Sequence, residues 1–123
     1  MIKLVFVIRR RKDRSPEEFH RYWLEEHGPL ARGLLEGLGA RRYVQTHTLD
    51  SDLNHAFAES RGTLEAYDGV AEVSWDSLDA LVAAVGSEEG QRANETLAED
   101  EARFIDFEQS SLLVAEEHTF LDS

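Results

Sequence analysis

Ser15-Pro16-Glu17-Glu18-Phe19-His20-Arg21-Tyr22-Trp23-Leu24-Glu25-Glu26-His27-Gly28-Pro29-Leu30 is the stretch on which the fold turns. Ser15 is placed to cap free backbone N–H groups, Pro16 suits the first helical position, and Glu18 completes a capping box. At about 100° per residue, Phe19, Tyr22, Trp23 and Leu30 share one face, with Glu17, Glu18, Arg21 and Glu25 opposite. This is an amphipathic helix with an aromatic stripe to bury. Gly28-Pro29 is expected to end or kink it, because proline lacks an N–H and biases its predecessor out of the α region. A second short helical stretch follows from Leu30 to Leu38 and ends at Gly39.

Upstream, Ile2 to Ile8 is a β-branched apolar run that reads as a buried strand. Arg9 to Arg14 then carries five basic residues and reads as a solvated loop. Downstream, Arg41 to Leu49 alternates, with Tyr43, Gln45 and His47 on one side and Val44, Thr46 and Thr48 on the other. Residues 50–66 form a polar, irregular stretch containing His55 and Phe57, and a loop that long is more often functional than ornamental. Val70 to Trp75 is a third strand after the Asp68-Gly69 turn signal. Asp76 or Ser77 starts a helix interrupted at Gly86, an acidic helical stretch runs towards Phe107, and Ser111 to Phe120 supplies the last strand.

The order strand–helix–strand–strand–helix–strand is the ferredoxin-like α+β arrangement βαββαβ, an antiparallel four-stranded sheet with helices on one face. One domain spans residues 1–123. The sheet's other face needs a cover, and a second copy of the chain, giving a homodimer, is the economical one.

Composition narrows the chemistry. The chain of 123 residues contains no cysteine and carries a formal net charge of −12. Thiolate nucleophiles, disulfides and Cys-ligated metals are therefore excluded. The negative charge argues against nucleic acid, whose phosphates must be met by Lys and Arg. No apolar run approaches the roughly 20 residues of a membrane span, and the first residues lack signal-peptide architecture, so a cytoplasmic location is expected.

Chemistry is left to His, Tyr and carboxylates. His20 and His27 share a helix face seven positions apart, which separates their Cα atoms by roughly 10 Å, too far to share a metal. No HxxxH or HxH pairing occurs, and neither a P-loop nor a dinucleotide-fold glycine pattern is present, so neither a bound metal nor an organic cofactor is expected. His27 lies beside Trp23 at the edge of the apolar face, where it either titrates near neutral pH in a pocket or caps the helix end. Tyr43, Gln45 and His47 form a polar ladder that meets a ligand or bonds across a dimer seam. Glu26 within the apolar arc and Glu72 between Ala71 and Val73 each need an ion pair or a polar cleft. The acidic run from Glu88 to Glu108 reads as a solvated outer face.

The segment Phe19 to Leu30 resembles the signature of the EthD family, small proteins of the dimeric α+β barrel superfamily. Arg42-Tyr43-Val44-Gln45, Asp68-Gly69-Val70-Ala71-Glu72-Val73 and Asp100-Glu101-Ala102-Arg103-Phe104-Ile105-Asp106 fit as well. The resemblance implies a homodimer whose sheets face each other, and places His27, Tyr43 and His55, with His47 competing for the last role, in a catalytic site. Superfamily relatives include cofactor-independent monooxygenases, muconolactone-type isomerases and polyketide cyclases or dehydratases. The expected function is acid/base chemistry on a small hydrophobic, carbonyl-bearing ring compound, of isomerase, cyclase/dehydratase or monooxygenase type. His27 would act as acid/base, Tyr43 would bond the enolate oxygen, and His55 or His47 would handle the second proton. Phe19, Trp23 and Phe57 would form the walls, with Gln45 and Glu72 as further substrate contacts. The alternative is a non-catalytic accessory or ligand-binding dimer, such as one supporting a cytochrome P450 degradation system.

Overall fold

The computed structural model covers residues 1–123. In chain order it contains β1 (Ile2–Ile8), α1 (Pro16–Tyr22), a π-helical turn (Trp23–His27), α2 (Gly28–Gly37), β2 (Arg42–His47) and α3 (Asp52–Arg61). After these come β3 (Gly69–Trp75), α4 (Leu78–Gly86), α5 (Glu88–Glu101), a 3₁₀ turn (Phe107–Gln109) and β4 (Ser111–Glu116). The strands pair antiparallel in the order β2-β3-β1-β4, the ferredoxin-like arrangement. No helix is long and apolar enough to cross a membrane.

The capping box forms as expected: the Ser15 hydroxyl accepts from the Glu18 N–H, and the Glu18 carboxylate accepts from the Ser15 N–H. Gly28-Pro29, however, does not stop the helix. The chain widens by one residue into the π turn, in which the Gly28 N–H donates to the Trp23 carbonyl, and helix continues to Gly37. A proline at 29 has no N–H for the Glu25 carbonyl and would crowd it in a regular α-turn, and the wider turn relieves both conflicts. It also turns both Trp23 and His27 inward, 1% and 4% exposed, and leaves Glu26 in solvent rather than in the apolar arc.

The expected loop at 50–66 is instead largely helical. Ser51 caps α3 and Gly62 closes it with a φ of 68°, in the left-handed region glycine tolerates. Ser77 caps α4 and Ser87 restarts the chain as α5, which ends at Glu101 rather than running towards Phe107. The last strand ends at Glu116. The Arg9–Arg14 run is not simply solvated. The Arg9, Arg11 and Arg14 guanidiniums donate to the carbonyls of Ala66, Ala102 and Arg103, at 2.7, 2.9 and 3.0 Å, and so staple neighbouring loops.

Alternation along the strands separates two faces. Leu4, Phe6, Ile8, Ala71, Val73, Trp75 and Tyr43 face the helices, where two apolar clusters form. One joins Ala31 and Leu35 of α2 to Val73, Trp75, Leu81 and Ala84. The other joins Phe19, Trp23, Phe104 and Ile105 around Ile8. Burying each large side chain contributes roughly 1.5–3 kcal/mol. The opposite face carries Val5, Val7, Val44 and Val70, only half-buried by this chain, and exposed Leu113.

Candidate functional site

Between the helices and the sheet, where the two clusters meet, lies a cavity of about 110 Å³. Leu4, Phe6, Leu35, Val73, Leu97 and Ile105 make its walls largely apolar, with Trp23 on one side. Four polar side chains reach it: His27 from the π turn, Tyr43 from β2, and Asn94 and Glu101 from α5. Asn94 and Leu112 are exposed lining residues and mark its mouth, between α5 and the edge strand β4.

His27 is held from behind. Its Nδ1 lies 2.7 Å from Oδ2 of Asp100, and because a carboxylate only accepts, Nδ1–H donates. In its neutral form the ring presents a lone pair at Nε2, which lies 3.7 Å from Oε2 of Glu101. Asp100 is itself fixed: its Oδ1 accepts from the Tyr22 hydroxyl at 2.5 Å. Phe104 packs edge-on against the His27 ring, with centroids 5.1 Å apart. The result is an oriented imidazole on an apolar cavity, the arrangement by which a carboxylate sets a histidine's tautomer for proton transfer.

Glu101 has no cationic side chain beside it except a protonated His27. Burial, and secondarily the neighbouring Asp100 carboxylate, pushes its pKa up to about 7. Tyr43 is shifted the same way, chiefly by burial, so its phenol stays protonated at neutral pH. The cavity therefore holds a base, a neutral phenol and a carboxyl that changes state near neutrality. Such separated titrations are typical of proton-transfer sites.

Three of the expected site residues, His27, Tyr43 and Trp23, meet at this cavity. Phe19 does not line it; fully buried, it packs behind Trp23 at 5.4 Å between ring centroids and belongs to the core. Gln45 and His47 stand behind Tyr43 and Trp23: the Gln45 amide donates to the Tyr43 oxygen, and His47 stacks on Trp23 at 4.2 Å. His55 and Phe57 lie on exposed faces of α3, with His55 beside Glu59 and Glu65 rather than His27. Glu72 points to the opposite face of the sheet, because β3 alternates, and pairs there with Lys3 at 3.0 Å. No group of three or more His, Asp or Glu side chains is arranged to hold a metal ion.

Asp100 and Glu101 are the site residues that sequence reasoning missed. They sit in the acidic run read as a solvated face, yet Asn94, Leu97 and Glu101, spaced three and four apart on α5, share one inward stripe. That spacing was the available signal.

No curated protein matches the chain. Among solved structures it is similar to an EthD family protein from Bacillus halodurans, with 22% identity over 96% of this chain and 99% of that one and a TM-score of 0.64. It is also similar to SnoaB from Streptomyces nogalater, a cofactor-independent oxygenase, with 15% identity over 99% and 97% of the two chains and a TM-score of 0.58. HapK from Hahella chejuensis shares 11% identity over 100% and 98%, with a TM-score of 0.59. These likenesses show a shared fold. The family profile described as the EthD domain matches residues 11–108, from the basic loop after β1 through the π turn and β2 to the 3₁₀ turn before β4. The chain therefore belongs to the EthD family.

Proposed function

We propose that this protein is a small-molecule enzyme that enolises a neutral, hydrophobic, carbonyl-bearing ring compound without a metal or organic cofactor. The observation that carries the reading is His27: buried, locked through Nδ1 to Asp100, with Nε2 directed to a cavity that also receives Tyr43 and Glu101. His27 Nε2 takes the proton from the carbon next to the carbonyl. The C–H electron pair becomes the new C=C bond, and the carbonyl π pair moves onto oxygen. Tyr43 donates to that oxygen as charge develops, and Asp100 stabilises the imidazolium. Returning the proton to another carbon, from His27 or from protonated Glu101, gives isomerisation, and expulsion of a β-hydroxyl as water gives dehydration. A carbanion held this way also adds to a second carbonyl, or bonds through carbon to dioxygen, giving a hydroperoxide that loses water and leaves one oxygen as a new carbonyl. His55 has no place at this cavity, and the second proton falls to Glu101.

Size and charge sharpen the substrate class. An engineered apolar cavity of about 150 Å³ binds benzene, so this one accommodates at most one small ring, with anything larger reaching out past Asn94. No Lys or Arg lines it. A substrate with its own carboxylate would meet Glu101 and no counter-charge, at a high desolvation cost. The chain's uncovered sheet face is proposed to bind a second copy, as valines and a leucine half-exposed side by side favour burial. Sedimentation at micromolar concentration should give twice the 14.0 kDa chain mass; a monomer would refute this.

The test is deuterium incorporation next to the carbonyl of single-ring ketones in D₂O, followed by NMR, alongside quenching of Trp23 fluorescence. Catalysed exchange supports the enzyme. Saturable quenching with no exchange replaces it with a ligand carrier.

A further inference from the structure

Behind Tyr43 lies a chain of hydrogen bonds that the chemistry above does not use, and its direction is fixed by one atom. The Trp23 carbonyl, in the π turn, can only accept. The Gln45 side-chain atom 2.9 Å from it must be the amide nitrogen Nε2. That nitrogen has a second hydrogen, and the Tyr43 oxygen lies 2.9 Å from it, so the Tyr43 oxygen accepts. Gln45 Oε1 is thereby left facing Nε2 of His47 at 2.8 Å, which must carry a hydrogen. Burial keeps both His47 and His20 below the ordinary imidazole range, so at neutral pH each ring has one hydrogen. With His47 protonated on Nε2, its Nδ1 is a lone pair. His20 Nδ1, 2.7 Å away, must then be the donor.

We infer that His20 and His47 act through Gln45 as positioning residues that make Tyr43 a hydrogen-bond donor into the cavity. The inference rests on the reading of Tyr43 as the group that meets the substrate oxygen. Every bond in the chain points the same way, from His20 to His47, to Gln45, to the Tyr43 oxygen. With that oxygen accepting from Gln45, and donating to no protein group, its own hydrogen is free for the cavity side. An amide passes no proton, so the chain orients and polarises; it is not a relay. Reversing it would require turning the Gln45 amide, which sets its oxygen against the Trp23 carbonyl, an acceptor facing an acceptor. The π turn is what makes the arrangement possible. The Trp23 carbonyl accepts from both Gly28 N–H and Gln45, while the Trp23 ring covers His47 with planes 29° apart. One residue thus supplies both the anchor and the lid.

The direct test is a ¹⁵N–¹H correlation of the histidine rings in the wild-type protein at neutral pH. His47 should be the Nε2–H tautomer and His20 the less common Nδ1–H tautomer. Either ring in the opposite tautomer, or both averaging between the two, overturns the inference. The second test is a double-mutant cycle on ketone exchange. His47→Phe, which keeps the stacking on Trp23 but not the donor, should slow exchange about tenfold, as a small misplacement of a catalytic donor does, with KM little changed. His47→Gln, which retains an N–H donor, should restore most of the rate. In a Tyr43→Phe background, His47→Phe should have no further effect, because its influence passes through the Tyr43 hydroxyl. An equal slowing in both backgrounds would show a merely structural role and overturn the inference. The tautomers are read without turnover. Absence of exchange in the wild type would sink the proposed function and leave this result standing by itself.

Discussion

Replacing Glu101 with glutamine should make the protein more stable at alkaline pH while impairing its chemistry. Burial and the adjacent Asp100 raise the Glu101 pKa from 4.5 to about 7. A carboxyl whose pKa is higher folded than unfolded binds its proton more tightly in the native state. Its ionisation therefore costs nothing below about pH 4.5, progressively more from there to about pH 7, and the full amount above. At about 1.4 kcal/mol per pH unit, the cost is about 3 kcal/mol, reduced somewhat because the side chain is 19% exposed. Glutamine matches the protonated carboxyl in shape and never ionises. Urea unfolding should give equal stabilities for the two proteins near pH 4.5, and a gain of about 2–3 kcal/mol for Glu101→Gln at pH 8. The same variant should lose the upper proton-transfer limb of its pH–rate profile near pH 7. A variant less stable than wild type at pH 8 would be the opposite outcome. It would mean that Glu101 serves as a counter-ion holding His27 protonated, and that the cavity is a buried ion pair rather than a site kept short of charge.

Asp100→Asn would present an amide to His27 Nδ1, inviting the opposite tautomer, which puts the ring hydrogen on Nε2 and replaces the basic lone pair facing the cavity. A fall in kcat on the order of 10²-fold or more is expected with the fold intact, and unchanged turnover would remove Asp100 from the site. Gly90→Ala tests the α4–α5 corner, since a Cβ there would overlap the Ala84 carbonyl oxygen. Overpacking against backbone should cost about 3 kcal/mol in urea unfolding, and a neutral result would mean that the corner is looser than described. Val7→Asp, on the uncovered sheet face, should convert the proposed dimer to monomer in sedimentation, and a dimer surviving it would place the interface elsewhere.

The fold was legible because its signals are local and repeated. The Ser15 box, the aromatic stripe and the alternation of β2 each follow from one residue's backbone needs or from a fixed period. The π turn was not legible, since Gly28-Pro29 reads equally as a stop or a kink, and only packing of Trp23 and His27 against the sheet favours carrying on through a wider turn. Helix α3 was hidden by its composition. Leu53 and Phe57 stay exposed, so no buried stripe announces it, although Ser51 and Gly62 mark its ends.

The site was half legible. His27 stood out at the edge of the apolar face and Tyr43 in the polar ladder of β2, the family resemblance singled them out from their neighbours, and they meet at the cavity. Phe19 and Trp23 share a stripe, yet one lies behind the other, a difference of depth that a helical wheel does not contain. Glu72 followed strand parity to the far face. Asp100 and Glu101 were lost in a run of charge because a residue's neighbours in sequence do not report which of several carboxylates turns inward. Only the placement of α5 over His27 selects them.

Joint enolisation of a bound ketone by His27 and Tyr43 is measured most plainly by the exchange rate of a single-ring ketone in D₂O with wild type, His27→Ala and Tyr43→Phe. His27→Ala should slow exchange by about 10²-fold or more, and Tyr43→Phe by about 10²-fold through loss of a donor to the developing oxyanion. Exchange that proceeds at the wild-type rate in both variants would contradict joint enolisation.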